Sequence, residues 1–265
     1  MEMEFEGRKE GMWLRQIALV AHELEPVVDR LEKVFGLRVA YRDPEVGIFG
    51  LVNAVIPVGG EFLEVVQPVK EDASALRYLH RRGGDAGYML IFEVGDAKAH
   101  RERVLGLGAR QIAAMDKRYV FTHFHPADFG GVLTSIDSVR DVDDWLDPDS
   151  DWPPAGSDWR HAKSSNATSI LGATVQTKAP AALAARWGEL LDVRVEEGKF
   201  GPELQLTRGF VRFVEPVDED GTGVVGVDIA LADPKTALAE AKKLGLPVSR
   251  EAVDICGVRF ILHAA

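Results

Sequence analysis

The spacing of apolar residues changes period again and again along this chain. Residues 14–21 (LRQIALVA) read as a short β-rich run. Residues 23–37 then take a helical period with Val27, Val28, Leu31, Val34 and Phe35 on one face, and Gly36 ends the helix. Residues 41–50, with Asp43-Pro44 and two glycines, predict a turn or irregular strand. Residues 51–68 (LVNAVIPVGGEFLEVVQP) hold two β-branched and aromatic runs joined at Gly59-Gly60, the pattern of a β-hairpin. The first unit is therefore β-α-β-β-β.

The same order recurs. Residues 88–94 (YMLIFEV) predict a strand, and residues 97–107 a helix with Ala97, Arg101, Val104 and Leu105 on one side. Residues 118–124 and 132–136 predict closing strands. Residues 138–165 turn acidic, with Asp147-Pro148, Pro153-Pro154 and three tryptophans, Trp145, Trp152 and Trp159. This segment predicts a linker that packs through its rings, because three tryptophans are out of place in a disordered tail. Beyond it the pattern restarts: strand 170–177, helix 181–191, strand 210–217 (FVRFVEPV, an echo of FLEVVQPV), strand 225–231, a helix through Ala237, Leu238, Ala241 and Leu244, and strand 257–263. Four β-α-β-β-β units in two tandem pairs account for the whole chain as an α+β protein. The expected division is 12–140, a linker at 141–165, and 166–265.

One residue breaks the apolar pattern. Glu64 sits inside the second run of the hairpin, and an unpaired buried carboxylate costs several kcal/mol. It must be neutralised, hydrogen-bonded, metal-bound or lining a cavity.

Composition narrows the function. With 31 Lys+Arg against 42 Asp+Glu, the formal net charge of -11 argues against nucleic acid and anionic membrane surfaces as partners. The 265 residues, 46% hydrophobic and 28% charged, describe a globular protein with room for a substantial core. A single cysteine, Cys256, builds no disulfide framework or Cys-based metal site within the chain, fits a reducing compartment, and reads as a small buried apolar residue. The acidic N-terminus has no apolar signal core and no segment approaches membrane-spanning length, so the expected location is cytoplasmic.

Taken in order, PVGGEFLEVVQP, the RRGG loop at residues 81–84, the strand ending FEV and HPADFGGVL at residues 125–133 resemble the vicinal oxygen chelate superfamily, the glyoxalase/bleomycin-resistance/dioxygenase fold. The methylmalonyl-CoA epimerase and glyoxalase I branches are nearest. The resemblance implies paired units whose mixed sheets curl into a cup with helices outside. It also implies a divalent metal held by first and last strands, chelated by two substrate oxygens, and a base that moves a proton.

Position by position, the resemblance places metal ligands at Gln16 and Glu64, and puts Met89 and Ser135 where a histidine and a glutamate are usual. A thioether is soft for hard divalent ions and a neutral hydroxyl is a weak ligand, so the metal site is degenerate. Gln16 and Glu64 are then either a two-residue site for Co, Zn, Mn or Fe, or part of a ligand-facing floor; the plain alternatives are an amide bonding strand backbone and a buried acid held by a neighbour. Without metal, a desolvated Glu64 has a raised pKa and serves as general acid or base.

The same geometry puts Thr122 and Phe124 in the cup with Met89 and Ser135 as walls, and turns His123 toward the helical layer as a packed or metal-binding histidine, with His125 structural. Glu45 in the Pro44-Glu-Val-Gly47 turn resembles the epimerases' E-x-G turn, against the reading of a solvated acid. In the second half the matching positions are Gly172, Arg212, Gly226 and Ile261, which assemble no metal site. Arg212 binds an anion or pairs with Glu215 or another acid, and the loop at 81–84 meets a phosphate-bearing substrate or is a solvated basic turn.

The expected function is a lyase, isomerase or epimerase acting by proton transfer on a small oxygenated or carbonyl compound, with Glu64 catalytic. The second half is a scaffold or a homodimer-forming surface. The alternative is a non-catalytic protein that sequesters a small molecule in the manner of the bleomycin-resistance branch. Extradiol dioxygenase chemistry needs two histidines and a carboxylate around iron, which these positions do not supply.

Overall fold

Each predicted unit opens with a strand whose faces are both covered, and these strands lie at the centre of the sheets. The computed structural model describes residues 10–219 and 221–265; the acidic segment 1–9, on which the absence of a signal core was read, lies outside them. The strands are β1 (Met12–Val20), β2 (Leu51–Val58), β3 (Glu61–Pro68), β4 (Ala86–Val94), β5 (Gln111–Asp116), β6 (Tyr119–Phe124), β7 (Leu133–Val139), β8 (Ala167–Gln176), β9 (Val195–Gly198), β10 (Gly201–Gln205), β11 (Phe210–Val214), β12 (Gly223–Leu231), β13 (Ala252–Ile255) and β14 (Val258–Ala264). The helices are α1 (Leu24–Phe35), α2 (Ser74–Arg82), α3 (Ala97–Gly106), α4 (Pro180–Leu191) and α5 (Pro234–Lys243). Two seven-stranded mixed sheets result, ordered β2-β3-β1-β4-β7-β6-β5 and β13-β14-β12-β8-β11-β10-β9.

In each sheet the two opening strands of a pair run antiparallel (β1 with β4, β8 with β12). Each unit then returns its last strand parallel to its first, as β3 does to β1 and β7 to β4. The units are not identical. The second and third place three strands after the helix, whereas the first and fourth place two, with the remaining strand reduced to single bridges at Tyr41–Val55 and Val248–Val253. Residues 44–49 form a 3-10 helix because Asp43 accepts from the Glu45 N–H and Gly50 turns left-handed at φ 72°.

One apolar core spans both halves, between the helical faces of the sheets, and includes Ile17, Leu63, Phe92, Phe213 and Phe260. Helix α1 packs on α5 and α3 on α4, so each half buries the other's helices. Strands β4 and β12 also meet, and a Cβ at Gly87 would stand 2.5 Å from the Val224 carbonyl oxygen. Helix α2, which the sequence pattern did not reveal, ends in the RRGG motif. Gly83 caps it left-handed, and Arg82 is buried, donating to the Gly221 carbonyl at 3.0 Å and pairing with Asp218. Arg82 therefore fastens the halves together, while its neighbour Arg81 is exposed.

A second cluster fills the concave face of the first sheet. Its members are Ala18, Val55, Phe62, Val66, Tyr88, Met89, Ile91 and, from the connection between the sheets, Trp152, Ala155 and Trp159. That connection carries two short 3-10 helices, Pro153–Ala155 and Trp159–Ala162, and acts as a strap across the cup. Trp145, Trp152 and Trp159 are all buried. No described helix is long and apolar enough to cross a membrane.

Candidate functional site

The floor of the first cup carries polar groups on six adjacent strands, β2 to β6 in sheet order. Glu64 on β3 is buried. Its Oε2 accepts from the Gln16 amide at 2.9 Å and its Oε1 from the Asn53 amide at 2.6 Å. Gln16 completes its own bonding through the Trp152 indole, which donates to Oε1 at 2.7 Å, while the Asn53 carbonyl accepts from the Asp43 N–H at 2.7 Å. Burial raises the Glu64 pKa, and the two amide donors only partly oppose it. Glu64 thus has no cationic partner among its hydrogen bonds, and its two oxygens accept from neutral amides alone.

A second carboxyl group lies three strands along the sheet from Glu64. Asp137 on β7 accepts from both Tyr119 and Ser135, and burial raises its pKa to about 7. Directly across from it on β4, Glu93 faces the Arg15 guanidinium at 3.3 Å with no hydrogen bond to either oxygen. Burial outweighs the attraction of Arg15 and lifts Glu93 to about 8. Arg15 lies beside a bulge in β1, between Leu14 and Gln16, that keeps it on the cup face with its ring neighbours Trp13, Phe62 and Trp152. Its Nη1 has no hydrogen-bond partner.

These raised values have a sign in stability. The unfolded chain releases the Glu93 proton near 4.5 and the folded chain near 8, so between those limits the folded state binds more protons and stability falls as pH rises. Asp137 acts in the same direction up to about 7. The urea midpoint is expected to decline from pH about 5 to about 8, and Glu93→Gln to flatten that slope. An unchanged slope in Glu93→Gln would remove Glu93 as its source.

The sequence-derived positions separate into two groups. Gln16 and Glu64 are hydrogen-bonded to each other, and Met89 and Ser135 share their face of the sheet. Thr122 and Phe124 do not. Thr122 accepts from Arg101 of α3 at 2.6 Å, and Phe124 packs against Phe129 in the core between the sheets. The cup-facing residues of β6 are Tyr119, Phe121 and His123, the last set against Phe121 and Phe49 with its imidazole pushed down to about 4 by burial. Strand β6 has the opposite phase to the one expected, and with a period of two a shift of one residue turns over every side chain. The decisive signal was the burial demand of Val120 and Phe124, which face the core. His125 caps a 3-10 turn, Glu45 is exposed, and Arg212 pairs with Glu203 at 2.7 Å and Asp228 at 3.3 Å instead of Glu215.

Asn53, Glu93, Asp137, Tyr119 and Arg15 were missed. Glu93 and Asp137 interrupt apolar strands just as Glu64 does, so the same rule would have found them.

The donor set does not suit the divalent metal that the resemblance implies. The one acceptor oxygen of Gln16 is taken by an indole N–H and its amide hydrogens point at Glu64; Ser135 donates to Asp137; Met89 offers a thioether. Among the described residues no group of three or more His, Cys, Asp or Glu could hold a metal ion.

Two curved sheets, each made of a tandem pair of β-α-β-β-β units with helices on the face away from the cup, define the vicinal oxygen chelate fold, and this chain has it. No family model matches the sequence. Ethylmalonyl-CoA/methylmalonyl-CoA epimerase of Cereibacter sphaeroides is 26% identical over 133 residues, which is 48% of this chain and 97% of that protein. Among solved structures, a variant of 4-hydroxymandelate synthase from Streptomyces coelicolor aligns with a TM-score of 0.65 at 18% identity, over 90% of this chain and 76% of that one. A hypothetical protein from Staphylococcus aureus aligns with a TM-score of 0.66 at 11% identity, over 96% of this chain and all of that one.

Proposed function

We propose that the protein is an enzyme that moves a proton at a carbon beside a carbonyl group, an isomerase, epimerase or lyase, with Glu64 as the acid/base group. The observation that carries this reading is a buried carboxyl held by two neutral amides, with its pKa raised by desolvation. Such a group exchanges its proton without first breaking an ion pair. Gln16 and Asn53 orient it. As the substrate carbon loses its proton, negative charge grows on the carbonyl oxygen, and the unpartnered Nη1–H of buried Arg15 is the donor available to meet it. No step runs through a metal. The epimerase similarity makes malonyl-type CoA thioesters the first substrates to test.

A second reading, sequestration of a small molecule, draws on the aromatic walls of the cup, Phe62, Tyr119, Trp152 and Trp159. The two separate on one experiment. With methylmalonyl-CoA in deuterium oxide, the protein is expected to catalyse α-deuterium incorporation seen by mass spectrometry, and Glu64→Gln to slow it about 10²- to 10⁴-fold. Incorporation no faster than in buffer would end the enzyme reading for this substrate class.

A further inference from the structure

Three consecutive residues of the strap bind the cup by three different kinds of contact. The Ser150 carbonyl and hydroxyl oxygens both accept from Arg15 Nη2 at 3.0 Å. The Asp151 carboxylate pairs with Arg118 at 2.7 Å at the rim, where Arg118 also holds Asp141 at 3.1 Å. The Trp152 indole stacks over Phe62 at 6.3 Å and 16°, meets Tyr119 edge-on at 5.6 Å, and donates to Gln16 at 2.7 Å. The ring therefore lies between the Gln16–Glu64 pair and the Tyr119–Asp137 pair, the two acid/base groups of the floor.

Taking the cup as the ligand site of the proposed function, we infer that Ser150-Asp151-Trp152 is a built-in substitute for the ligand, and that the ligand is an aromatic carboxylate. Its ring takes the place of the indole over Phe62, a ring N–H or O–H reaches the Gln16 oxygen, and its carboxylate takes the place of Asp151 on Arg118. The strap enters neither sheet, so its opening breaks no strand pairing. Once Ser150 leaves, buried Arg15 has Nη2 as well as the already unpartnered Nη1 to donate. A tethered competitor acts at an effective concentration in the millimolar range, so the closed strap weakens ligand binding in the native chain and favours ligands that replace all three contacts.

The test uses the full chain, isothermal titration, and two probes that share a ring, indole and indole-3-acetate. Trp152→Ala is expected to bind indole-3-acetate at least about tenfold more tightly than it binds indole, and at least about tenfold more tightly than the native chain binds indole-3-acetate. Adding Arg118→Ala is expected to abolish the preference for the carboxylate. Equal binding of both probes, or a preference that survives Arg118→Ala, would mean that the substitution had merely opened a hole in an apolar core. Asp151→Ala leaves the ring in place and removes one of the two carboxylates on Arg118, vacating its Nη1; it is expected to tighten indole-3-acetate several-fold over the native chain, and no change there overturns the inference even if Trp152→Ala does not fold. Loss of deuterium exchange with binding intact would remove the enzyme reading and leave the strap's role standing; exchange without probe binding would do the reverse.

Discussion

Trp187→Ala is expected to cost about 3–5 kcal/mol of unfolding free energy, the range for removing a large aromatic ring from a packed core. The ring is fully buried on α4 in the second half of the chain. It meets Phe92 at 6.2 Å, Phe129 at 5.3 Å and Phe213 at 5.4 Å, all edge-on, and its N–H donates to the Phe129 carbonyl at 3.2 Å. Phe92 and Phe129 belong to the first half and Phe213 to the second, so truncation empties the point where the two cores merge. Neighbouring rings held by both sheets cannot collapse into the gap. Urea denaturation followed by far-UV circular dichroism checks the loss, and Trp187→Phe should recover more than half of it, because the hydrogen bond alone contributes about 1 kcal/mol. A loss under about 1 kcal/mol would show that the seam relaxes around the void.

Glu61→Leu is expected to cost about 3 kcal/mol, although the change is apolar and similar in size. Glu61 is buried at the start of β3. Its Oε1 accepts from the Trp13 indole at 3.0 Å and faces Arg208 at 3.4 Å, while its Oε2 accepts from the Ser169 hydroxyl at 2.9 Å and the Ile170 N–H at 3.0 Å. One carboxylate thus satisfies donors from both halves. Removing it leaves the Trp13 and Ile170 N–H groups buried and unpaired, and unpaired donors carry their full desolvation cost. Arg208 is partly exposed and adds little. Glu61→Gln keeps an acceptor but turns an amide N–H toward a donor, so its loss should be intermediate; urea midpoints of the three proteins measure the order, and a neutral Glu61→Leu would show that water reaches these groups.

Much of the architecture was legible because it rests on strand period and on glycine stops. Leu31, Val34 and Phe35 on one helix face, and the echo between FLEVVQPV and FVRFVEPV, are local signals that survive folding. Helix α2 was not legible, since its apolar face is only Ala75, Tyr78 and Leu79 between charged residues. Strands β5, β9 and β10 were missed for a similar reason: they lie toward an edge and carry residues such as Gln111, Asp116, Glu196 and Glu197, with no continuous apolar face. Glu64 could be found because an acid inside an apolar strand stands out. Its partner Asn53 could not, because an amide in a strand advertises nothing until the register of β2 on β3 brings it within reach. The place of Trp152 in the cup depends on how a long connection folds back, and no periodicity encodes that.

The glycines at the meeting of the two sheets have a consequence for recombining this protein with its relatives. A Cβ at Gly87 would strike the Val224 carbonyl, one at Gly59 the Thr168 carbonyl at 1.9 Å, and one at Gly257 the Asp85 carbonyl at 1.9 Å. Main chain lies against main chain at three points, and no choice of rotamer relieves a methyl group there. A chimera that grafts either half onto a foreign partner must therefore carry hydrogen at those same three sites, or the graft is pried open along its length.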